Sequence, residues 1–338
     1  MPFDIARRAI DYLLTNRTLF SEQAVTFDFG FGEPFLEIEM IDQVSDYIKL
    51  RLYELQHPWF DNYRFSFATN GILYADPRIQ RYIEKNKTHM SISFSLDGTR
   101  EKHDRQRIYP DGRGSYDDVV KNVPLWLEQF PPGRTKSTIG SGDLPYIKDS
   151  VLHLWSLGIK NVAMNVVFED VWQDGDDDVF EDQLKQLADH ILANKLYTEY
   201  NCTLFSSDIG RPLDPIRENT TWCGAGKMLT VDAEGRFYPC HHFVGASLAK
   251  QQALSIGNCF DGLDHNRVRP FLALNRVVQS PKECVECDIA SGCAFCKGVD
   301  YDESSSGTIY HRAIHICKMH AARVRANRYY FERLKGGE

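Results

Sequence analysis

The chain has 338 residues, which is enough for two domains that each have their own hydrophobic core. Its 43% hydrophobic and 25% charged residues are ordinary for a globular protein, and its net charge of −8 argues against a general nucleic-acid binder. No stretch is long and apolar enough to cross a membrane, and an acid and two arginines interrupt the start of the chain where a signal peptide has its apolar run. We therefore expect a cytoplasmic protein that binds neither nucleic acid nor membrane.

The first two hundred residues alternate between strand-like and helix-like segments. Strands are predicted at residues 24–31, 63–71, 90–98, 136–139 and 160–169. Helices are predicted between and before them, at residues 3–16, 41–54, 77–86, 116–129 and 144–157. Repeated β–α units predict a parallel sheet with right-handed crossovers, as an open sheet or a barrel. The roughly five strands are too few for an eight-stranded barrel.

Two charged segments follow. Residues 169–182 contain eight acids, which is typical of a solvated, mobile loop and marks a candidate boundary after the repeated units. The C-terminal helix is rich in arginine and lysine, from Arg312 to Lys335. Because the rest of the chain is acidic, this helix is predicted to dock on the protein rather than bind nucleic acid.

Glycines and polar residues come directly after three successive predicted strands. They form the groups Gly32-Glu33-Pro34, Asn70-Gly71 and Ser95-Leu96-Asp97-Gly98. Any one group alone would be ordinary turn chemistry. Since the carboxyl ends of parallel strands meet at one end of the sheet, the repetition predicts a ligand site there.

Cysteines are confined to the last part of the chain, and the first of the nine is Cys202. Seven of them form a cassette of Cys223, Cys240, Cys284, Cys287, Cys293, Cys296 and Cys317. Iron–sulfur ligation explains this pattern best, because such clusters are held by thiolates, four per cubane. Seven thiolates supply four ligands for one cluster and three for a second cluster. In a cytoplasmic protein an odd number of cysteines also disfavours a disulfide framework.

Zinc is the main alternative, because CxxC pairs form zinc knuckles in many proteins. The gap between Cys287 and Cys293 is shorter than the usual zinc-ribbon spacing, which favours iron–sulfur. Cys202 and Cys259 are predicted to be buried structural thiols, although either could be the fourth ligand of the cluster that has only three.

The succession FGEP, ATNG, SLDG-x4-HD-x2-R and the cysteine cassette resembles the radical S-adenosylmethionine enzymes that carry a SPASM domain. The resemblance covers nearly the whole chain. It implies an α/β fold, with a partial (βα)6-type parallel barrel that lacks its first strand at residues 1–200. A small cysteine-rich α+β SPASM domain would follow at residues 201–338.

The resemblance implies roles for the residues at the strand ends. The GEP part of the first motif, preceded by Phe31 where the family has glycine, would hold the methionyl amine of S-adenosylmethionine. Asn70, Ser95 and Asp97 would line the same cofactor pocket, with Ser95 and Asp97 near the ribose. His103, Asp104 and Arg107 match the family's HD-x2-R stretch.

The resemblance also divides the cassette. It assigns Cys223, Cys240 and Cys296 to a first auxiliary 4Fe-4S cluster. It assigns Cys284, Cys287, Cys293 and Cys317 to a second one. The fourth ligand of the first cluster would be Cys259, Cys202 or an open position.

His241 stands where the sulfatase-maturing branch of the family has an aspartate that takes a proton from the substrate. An imidazole suits this catalytic role near neutral pH, and the alternative is a histidine that packs at the surface or against a cluster.

One departure from the family is large. Its defining CxxxCxxC loop, which binds the cluster that cleaves S-adenosylmethionine, does not occur in this sequence. Either the first strand and its loop lie upstream of Met1, or the protein has abandoned radical chemistry. In both cases we expect this chain alone to be inactive and to bind S-adenosylmethionine weakly.

The intact enzyme would abstract hydrogen from a peptide or protein substrate by means of a deoxyadenosyl radical, with a reductant such as flavodoxin or ferredoxin. The alternative is a non-catalytic iron–sulfur or zinc-binding module that binds a peptide or partner.

Overall fold

The computed structural model describes residues 1–30, 32–214, 223–303 and 307–336. Phe31 of the first motif lies outside these residues. Helices α1 to α13 span Phe3–Thr15, Ile38–Glu54, Pro77–Asn86, Arg100–Asp104, Tyr116–Val120, Val123–Gln129, Ile147–Ser156, Asp176–Ala193, His265–Ala273, Arg276–Gln279, Lys282–Val285, Lys297–Glu303 and Cys317–Gly336. Strands β1 to β11 span Val25–Phe29, Tyr63–Thr69, Met90–Phe94, Ser137–Ile139, Asn161–Val162, Met164–Val166, Asn201–Cys202, Thr230–Val231, Arg236–Tyr238, Gly257–Asn258 and Gly262–Leu263.

Strands β1 to β7 pair in parallel, as the repeated β–α units predict. β1, β2 and β3 form one sheet in that order, with Phe27 opposite Phe65. A parallel bridge from Phe94 to Thr135 continues the arrangement towards β4, which pairs with β6. β5 pairs with β7, and only Ala163 separates β5 from β6. The α/β class with a parallel sheet is therefore confirmed.

The two faces of the first sheet differ in chemistry because side chains alternate along each strand. Phe65, Phe67 and Phe94 lie on the face that the helices cover, and all three are at most 1% exposed. Trp126 of α6 stacks on Phe94 with its ring centroid 4.3 Å away. The opposite face carries Thr26, Asp28, Ser66, Ser91 and Ser93, which are exposed or half-buried. One face is thus a hydrophobic core, and the other is a polar surface.

The predicted helices form, with two differences that proline explains. The helix expected over 116–129 is divided into α5 and α6, and Pro124 lies in the first turn of α6, where its missing N–H costs nothing. The helix expected over 144–157 begins as a 3₁₀ segment, Ser141–Tyr146, with Pro145 inside it, and becomes α-helical only at Ile147. In contrast, α3 has the predicted bounds, and its Asp76 caps the first turn.

The prediction of a mobile loop over residues 169–182 is wrong for its second half. Helix α8 begins at Asp176, and its first turn contains three aspartates, which the positive end of the helix dipole stabilises. Phe180 and Leu184 of this helix are fully buried. The aspartates therefore mark a helix start rather than a linker.

Helix α13 packs along α8, and oppositely charged side chains of the two helices pair beside the contact, as the basic composition of α13 predicts. Arg325 forms an ion pair with Glu181, and Arg333 forms one with Asp189. These are the two longest helices in the described part of the chain, with 18 and 20 residues. None of the described helices has the length and apolar character needed to cross a membrane.

The last third of the chain forms a second, smaller core. Strands β8 to β11 pair antiparallel in the order β11-β10-β9-β8, and each has two or three residues. Phe237, Phe243 and Phe271 are buried beside this sheet. The two cores do not divide at one point of the chain, because Ala9 of α1 belongs to the smaller core and Met319 of α13 to the larger one. The domain boundary at 200/201 stays a prediction.

Candidate functional site

Glu33 connects the loops that follow β1 and β2. Its Oε1 accepts hydrogen bonds from Thr69 Oγ1 at 2.6 Å and from the Phe35 backbone N–H at 3.1 Å. Its Oε2 accepts one from the Asn70 backbone N–H at 2.7 Å. The backbone N–H of Ser95 in turn donates to the Thr69 carbonyl at 2.8 Å. The three strand ends predicted to form a ligand site therefore meet at one end of the sheet.

These hydrogen bonds also indicate the role of the Glu33 carboxylate. Both of its oxygens are engaged within the protein, so the side chain holds the loops in place. Gly32 precedes it with a left-handed φ of +64°, and Pro34 begins a 3₁₀ turn, Pro34–Glu37. Gly71 has a φ of +78°, and a Cβ there would lie 2.9 Å from the Phe94 ring, so glycine is required for this close approach.

Asp97 is bound by groups on the other side of the β3 end. Its Oδ2 accepts a hydrogen bond from Arg107 Nε, and its Oδ1 accepts one from the Thr138 backbone N–H at 3.3 Å. The carboxylate is 2% exposed. The buried Asp97 thus forms an ion pair with the half-buried Arg107 of the same motif, and its bond from Thr138 joins the β3 loop to β4.

His103 is held in one protonation state by its neighbours. Ser115 Oγ donates to the Arg107 carbonyl at 2.8 Å, so it accepts from His103 Nε2–H at 3.0 Å. The other ring nitrogen faces the Asp97 backbone N–H at 3.4 Å. Burial is the largest cause that lowers the pKa of His103, to about 4, and the charges of Arg107 and Lys102 lower it further while Asp97 and Asp104 oppose them. The imidazole is therefore neutral at pH 7.

Asp104, the second residue of the HD-x2-R stretch, completes this local network. Its Oδ1 accepts a hydrogen bond from the Tyr116 backbone N–H at 2.9 Å. His103, Asp104 and Arg107 thus all bind protein groups, and their contacts fix the segment between β3 and α5.

His241 lies near the polar face of the sheet. It interacts electrostatically with Asp28 of β1 and with Lys136, which precedes β4. Burial lowers the pKa of His241, Lys136 lowers it further, and Asp28 opposes the change. His242 interacts with the same lysine and with Glu169. The predicted catalytic histidine thus lies near one acidic and one basic side chain, Asp28 and Lys136.

The first thiol set, Cys223, Cys240 and Cys296, is brought together by three separate segments. Cys240 interacts electrostatically with Cys296 and Cys223, and Cys296 interacts with Cys223. Backbone N–H groups of His242 and Phe243 face Cys240, and those of Gly298 and Val299 face Cys296. Burial raises the pKa of Cys240 to about 12 and that of Cys296 to about 11.

The second thiol set consists of Cys284, Cys287, Cys293 and Cys317. Cys317, at the start of α13, interacts electrostatically with each of the other three. Burial raises the pKa of Cys317 to about 11, and the nearby thiols raise it further. The seven thiols therefore lie in one set of three and one set of four, in the grouping that the resemblance implies.

Cys202 and Cys259 lie apart from both sets. Cys202 is in β7 within the larger core, and none of the charges that act on its pKa comes from another cysteine. Cys259 lies beneath Gly235, whose φ is +83° and where a Cβ would come within 2.5 Å of the Cys259 sulfur. Arg8 and Asp232, rather than other cysteines, are its charged neighbours. Neither thiol is placed as the fourth ligand of the first set.

The thiols fit an iron–sulfur cluster in donor chemistry. In residues 1–30, 32–214, 223–303 and 307–336, no three His, Cys, Asp or Glu side chains are already at metal-binding distances from one point. A buried thiol with a raised pKa is protonated at pH 7, and a coordinating metal removes that proton. Iron–sulfur clusters are held by thiolates, so a donor set of thiols alone suits them.

Three buried cations beside the thiols were not singled out by the sequence, and one of them, Arg276, donates to the Cys293 carbonyl at 3.3 Å. Lys297 is fully buried, interacts electrostatically with Cys223, and donates from Nζ to the carbonyls of Phe271 and Leu274 at 2.7 and 2.8 Å. Arg312 was grouped with the basic C-terminal helix, but it precedes α13 and donates to Cys293 Sγ at 3.1 Å. The only signal in the sequence was their nearness to cysteines along the chain.

Comparisons with known proteins agree with this fold. No protein-family model matches the chain. Two curated proteins match parts of it: an uncharacterized protein of Methanocaldococcus jannaschii, 25% identical over 172 residues, and a cysteine-type anaerobic sulfatase-maturating enzyme of Clostridium novyi, 29% identical over 106 residues. The matches cover 49% and 31% of this chain, and 53% and 26% of those proteins.

Solved structures match over nearly the whole chain. The structure of anSMEcpe with bound AdoMet has a TM-score of 0.73 at 18% identity, over 99% of this chain and 90% of its own. SuiB of Streptococcus suis bound to its precursor peptide SuiA has a TM-score of 0.57 at 15% identity, over 94% of this chain and 69% of its own. AdoMet is bound in the first of these structures and a precursor peptide in the second. At such identities, the likeness shows the fold.

Proposed function

We propose that the chain is a radical S-adenosylmethionine/SPASM protein that modifies a peptide or protein side chain. The observation that carries the proposal is the division of the seven thiols into a set of three and a set of four, on a fold like that of anSMEcpe. Several solved neighbours are bound to AdoMet or to peptides, which supports the same substrate class for this chain. A flavodoxin or ferredoxin would supply electrons.

The chain's own residues would divide the work in the following way. The loops joined by Glu33 would form one wall of the S-adenosylmethionine pocket, with Gly32, Pro34, Asn70 and Ser95 at the strand ends. Asp97 would shape that wall through its ion pair with Arg107. His241 would accept a proton from substrate on the polar face of the sheet. The two thiol sets would hold auxiliary 4Fe-4S clusters, which supply electron transfer or substrate binding when present.

These 338 residues contain no CxxxCxxC motif, so we propose that on their own they do not cleave S-adenosylmethionine and bind it weakly. The test incubates the reconstituted chain with S-adenosylmethionine and dithionite and measures deoxyadenosine by chromatography. We expect none above a heat-treated control. Turnover comparable to that of an intact sulfatase-maturating enzyme would contradict this part of the proposal.

Anaerobic reconstitution tests the cluster assignment itself. We expect about eight irons per chain if both clusters are cubanes. Cys287→Ala is expected to lose the iron of one cluster, and Cys240→Ala that of the other. Cys202→Ala is the matched control and is expected to keep both, because Cys202 lies apart from the thiol sets. Stoichiometric zinc without iron would instead support a non-catalytic, zinc-stabilised binding module.

A further inference from the structure

A guanidinium group is held against one thiol of the second set. Arg312 Nη2 donates to Cys293 Sγ at 3.1 Å and to the Ala294 carbonyl at 2.8 Å, while Nη1 donates to Ser280 Oγ at 3.1 Å. The guanidinium carbon lies 5.6 Å from the centre of the Phe295 ring. Arg312 is 8% exposed. Its position is therefore fixed by several contacts away from bulk water.

The positive charge of Arg312 has no carboxylate in direct contact within the described ranges. Asp300 interacts with it through space, but Asp300 Oδ1 accepts its hydrogen bond from the Ala313 backbone N–H at 2.9 Å. Burying a cation without a close opposite charge costs free energy. Cys293 Sγ lies 3.1 Å from Arg312 Nη2, and as a thiolate ligand it would compensate this charge.

The first thiol set has a different cationic neighbour. Lys297 interacts with Cys223 through space, but its Nζ is held by the carbonyl oxygens of Phe271 and Leu274. The sulfurs of Cys240 and Cys296 face backbone N–H groups, which no side-chain substitution removes. A cation bound directly to sulfur is thus a feature of the second set.

We propose that Arg312 is a positioning residue that raises the reduction potential of the iron–sulfur cluster held by the second thiol set. The inference rests on the proposed function, since it requires iron–sulfur clusters in this region. Reduction adds one negative charge to a cluster that its four thiolates already make negative. A buried cation and a hydrogen bond to sulfur stabilise the reduced form more than the oxidised form, and both are known determinants of cluster potentials.

A redox titration of the reconstituted chain tests this inference. Dithionite with mediators supplies one electron per cluster, and electron paramagnetic resonance follows each reduced cluster. A Cys240→Ala background removes the first cluster and identifies the signal of the second. We expect Arg312→Gln to lower the potential of that signal by at least about 59 mV, which is a tenfold change in the one-electron equilibrium constant. Arg312→Lys keeps the charge but not the planar guanidinium. We expect its potential to lie between that of the parent chain and that of Arg312→Gln.

Arg325→Gln is the matched control. It removes the same charge from an exposed arginine that pairs with Glu181 on α8, so the potential is expected to stay that of the parent chain. If Arg312→Gln does not take up the second cluster, Arg312→Lys tests the inference in its place. The reduction potential of the second cluster in Arg312→Lys must still be lower than in Arg325→Gln.

Two outcomes would overturn the inference, and they are distinguishable. Equal potentials in the Arg312 variants and in Arg325→Gln, with full iron content, would show that Arg312 does not set the potential and would leave the proposed function intact. Zinc in place of iron in the parent chain would contradict the proposed function and the inference together.

Discussion

The parallel sheet and the cysteine-bearing region of this protein are stabilised by different means. The sheet has strands of up to seven residues, β2 being the longest, and Phe65, Phe67 and Phe94 on its aromatic face are fully buried under helices. Strands β8 to β11 have two or three residues each, and α10 and α11 have four. Two thiol sets lie among these short elements. Hydrophobic burial stabilises the first region, whereas the second has too little regular structure to depend on burial alone.

This difference indicates which part of the molecule needs a ligand to fold. A short, loop-rich segment is commonly ordered by metal bonds, and the free energy of metal binding then becomes free energy of folding. The parallel sheet has no such requirement, because its core side chains pack against one another. The predictions below test this division, starting with the largest expected effect.

Metal removal is expected to act on one region only. Exchanging the reconstituted protein into a chelator under anaerobic conditions should abolish protection from hydrogen exchange over residues 223–303, which contain β8 to β11, while β1 to β3 keep theirs. The loss should be on the scale of the roughly 10 kcal/mol that structural metal sites contribute in small domains. Mass spectrometry of peptides from both regions measures the two effects in one sample.

Equal loss of protection in both regions would contradict this division. Helix α13 provides an internal control, because Cys317 belongs to the second thiol set while Met319 and Ala322 pack in the larger core. Most of this helix should therefore stay protected without metal.

Trp126→Ala should instead destabilise the region of the parallel sheet. The side chain is fully buried, stacks on Phe94 and donates from Nε1 to the Ile92 carbonyl at 3.1 Å. Its removal leaves a cavity beneath β3, and we expect a loss of about 3–5 kcal/mol in the free energy of unfolding. Chemical denaturation followed by circular dichroism measures it.

Trp126→Phe is the matched control for that change. It keeps an aromatic ring on Phe94 and loses the indole hydrogen bond, so the loss should be clearly smaller. The iron content of both variants, once folded, should equal that of the parent, since Trp126 packs in the larger core. Loss of iron would show that the two regions depend on each other.

Most elements of the parallel-sheet region could be predicted from the sequence. Helix α3 was predicted with the bounds that the structure gives it, and the parallel strands were predicted from their β–α repetition. Helix α8 was missed because its three leading aspartates resemble a solvated loop, although they suit a helix N-terminus.

The candidate site was predictable to a similar degree. The cysteine cassette could be recognised from its spacing, whereas the assignment of its thiols to two clusters comes from the resemblance and stays a prediction. The direct contact of Arg312 with Cys293, and the hydrogen bonds that Thr69 and Asn70 donate to Glu33, depend on segments that are distant in sequence. No local pattern contains them.

His103 should make the stability of the sheet region sensitive to acid. Its folded-state pKa of about 4 lies below the usual value of 6.5, so the unfolded chain binds the proton more tightly. The stabilising contribution is complete above pH 6.5 and is lost as the pH falls towards about 4, and it amounts to roughly 3 kcal/mol. Denaturation midpoints across this window measure it.

His103→Gln should flatten that dependence, because the substituted side chain does not titrate. His265→Gln, a change at an exposed position, is the control and should leave the slope unchanged. If His103→Gln retains the full acid sensitivity of the parent, another group is responsible for it.

The smallest expected effect concerns the charges that join α13 to α8. Arg325 Nε donates to Glu181 Oε2, but the arginine side chain is 46% exposed, so water and salt screen the pair. A double-mutant cycle with Arg325→Gln and Glu181→Gln should give a coupling below about 1 kcal/mol, and less at high salt. Burial of Met319, Ala322 and Ala326 accounts for the rest of the docking. A coupling of several kcal/mol that salt does not weaken would mean that charge, and not apolar contact, holds the C-terminal helix on the sheet region.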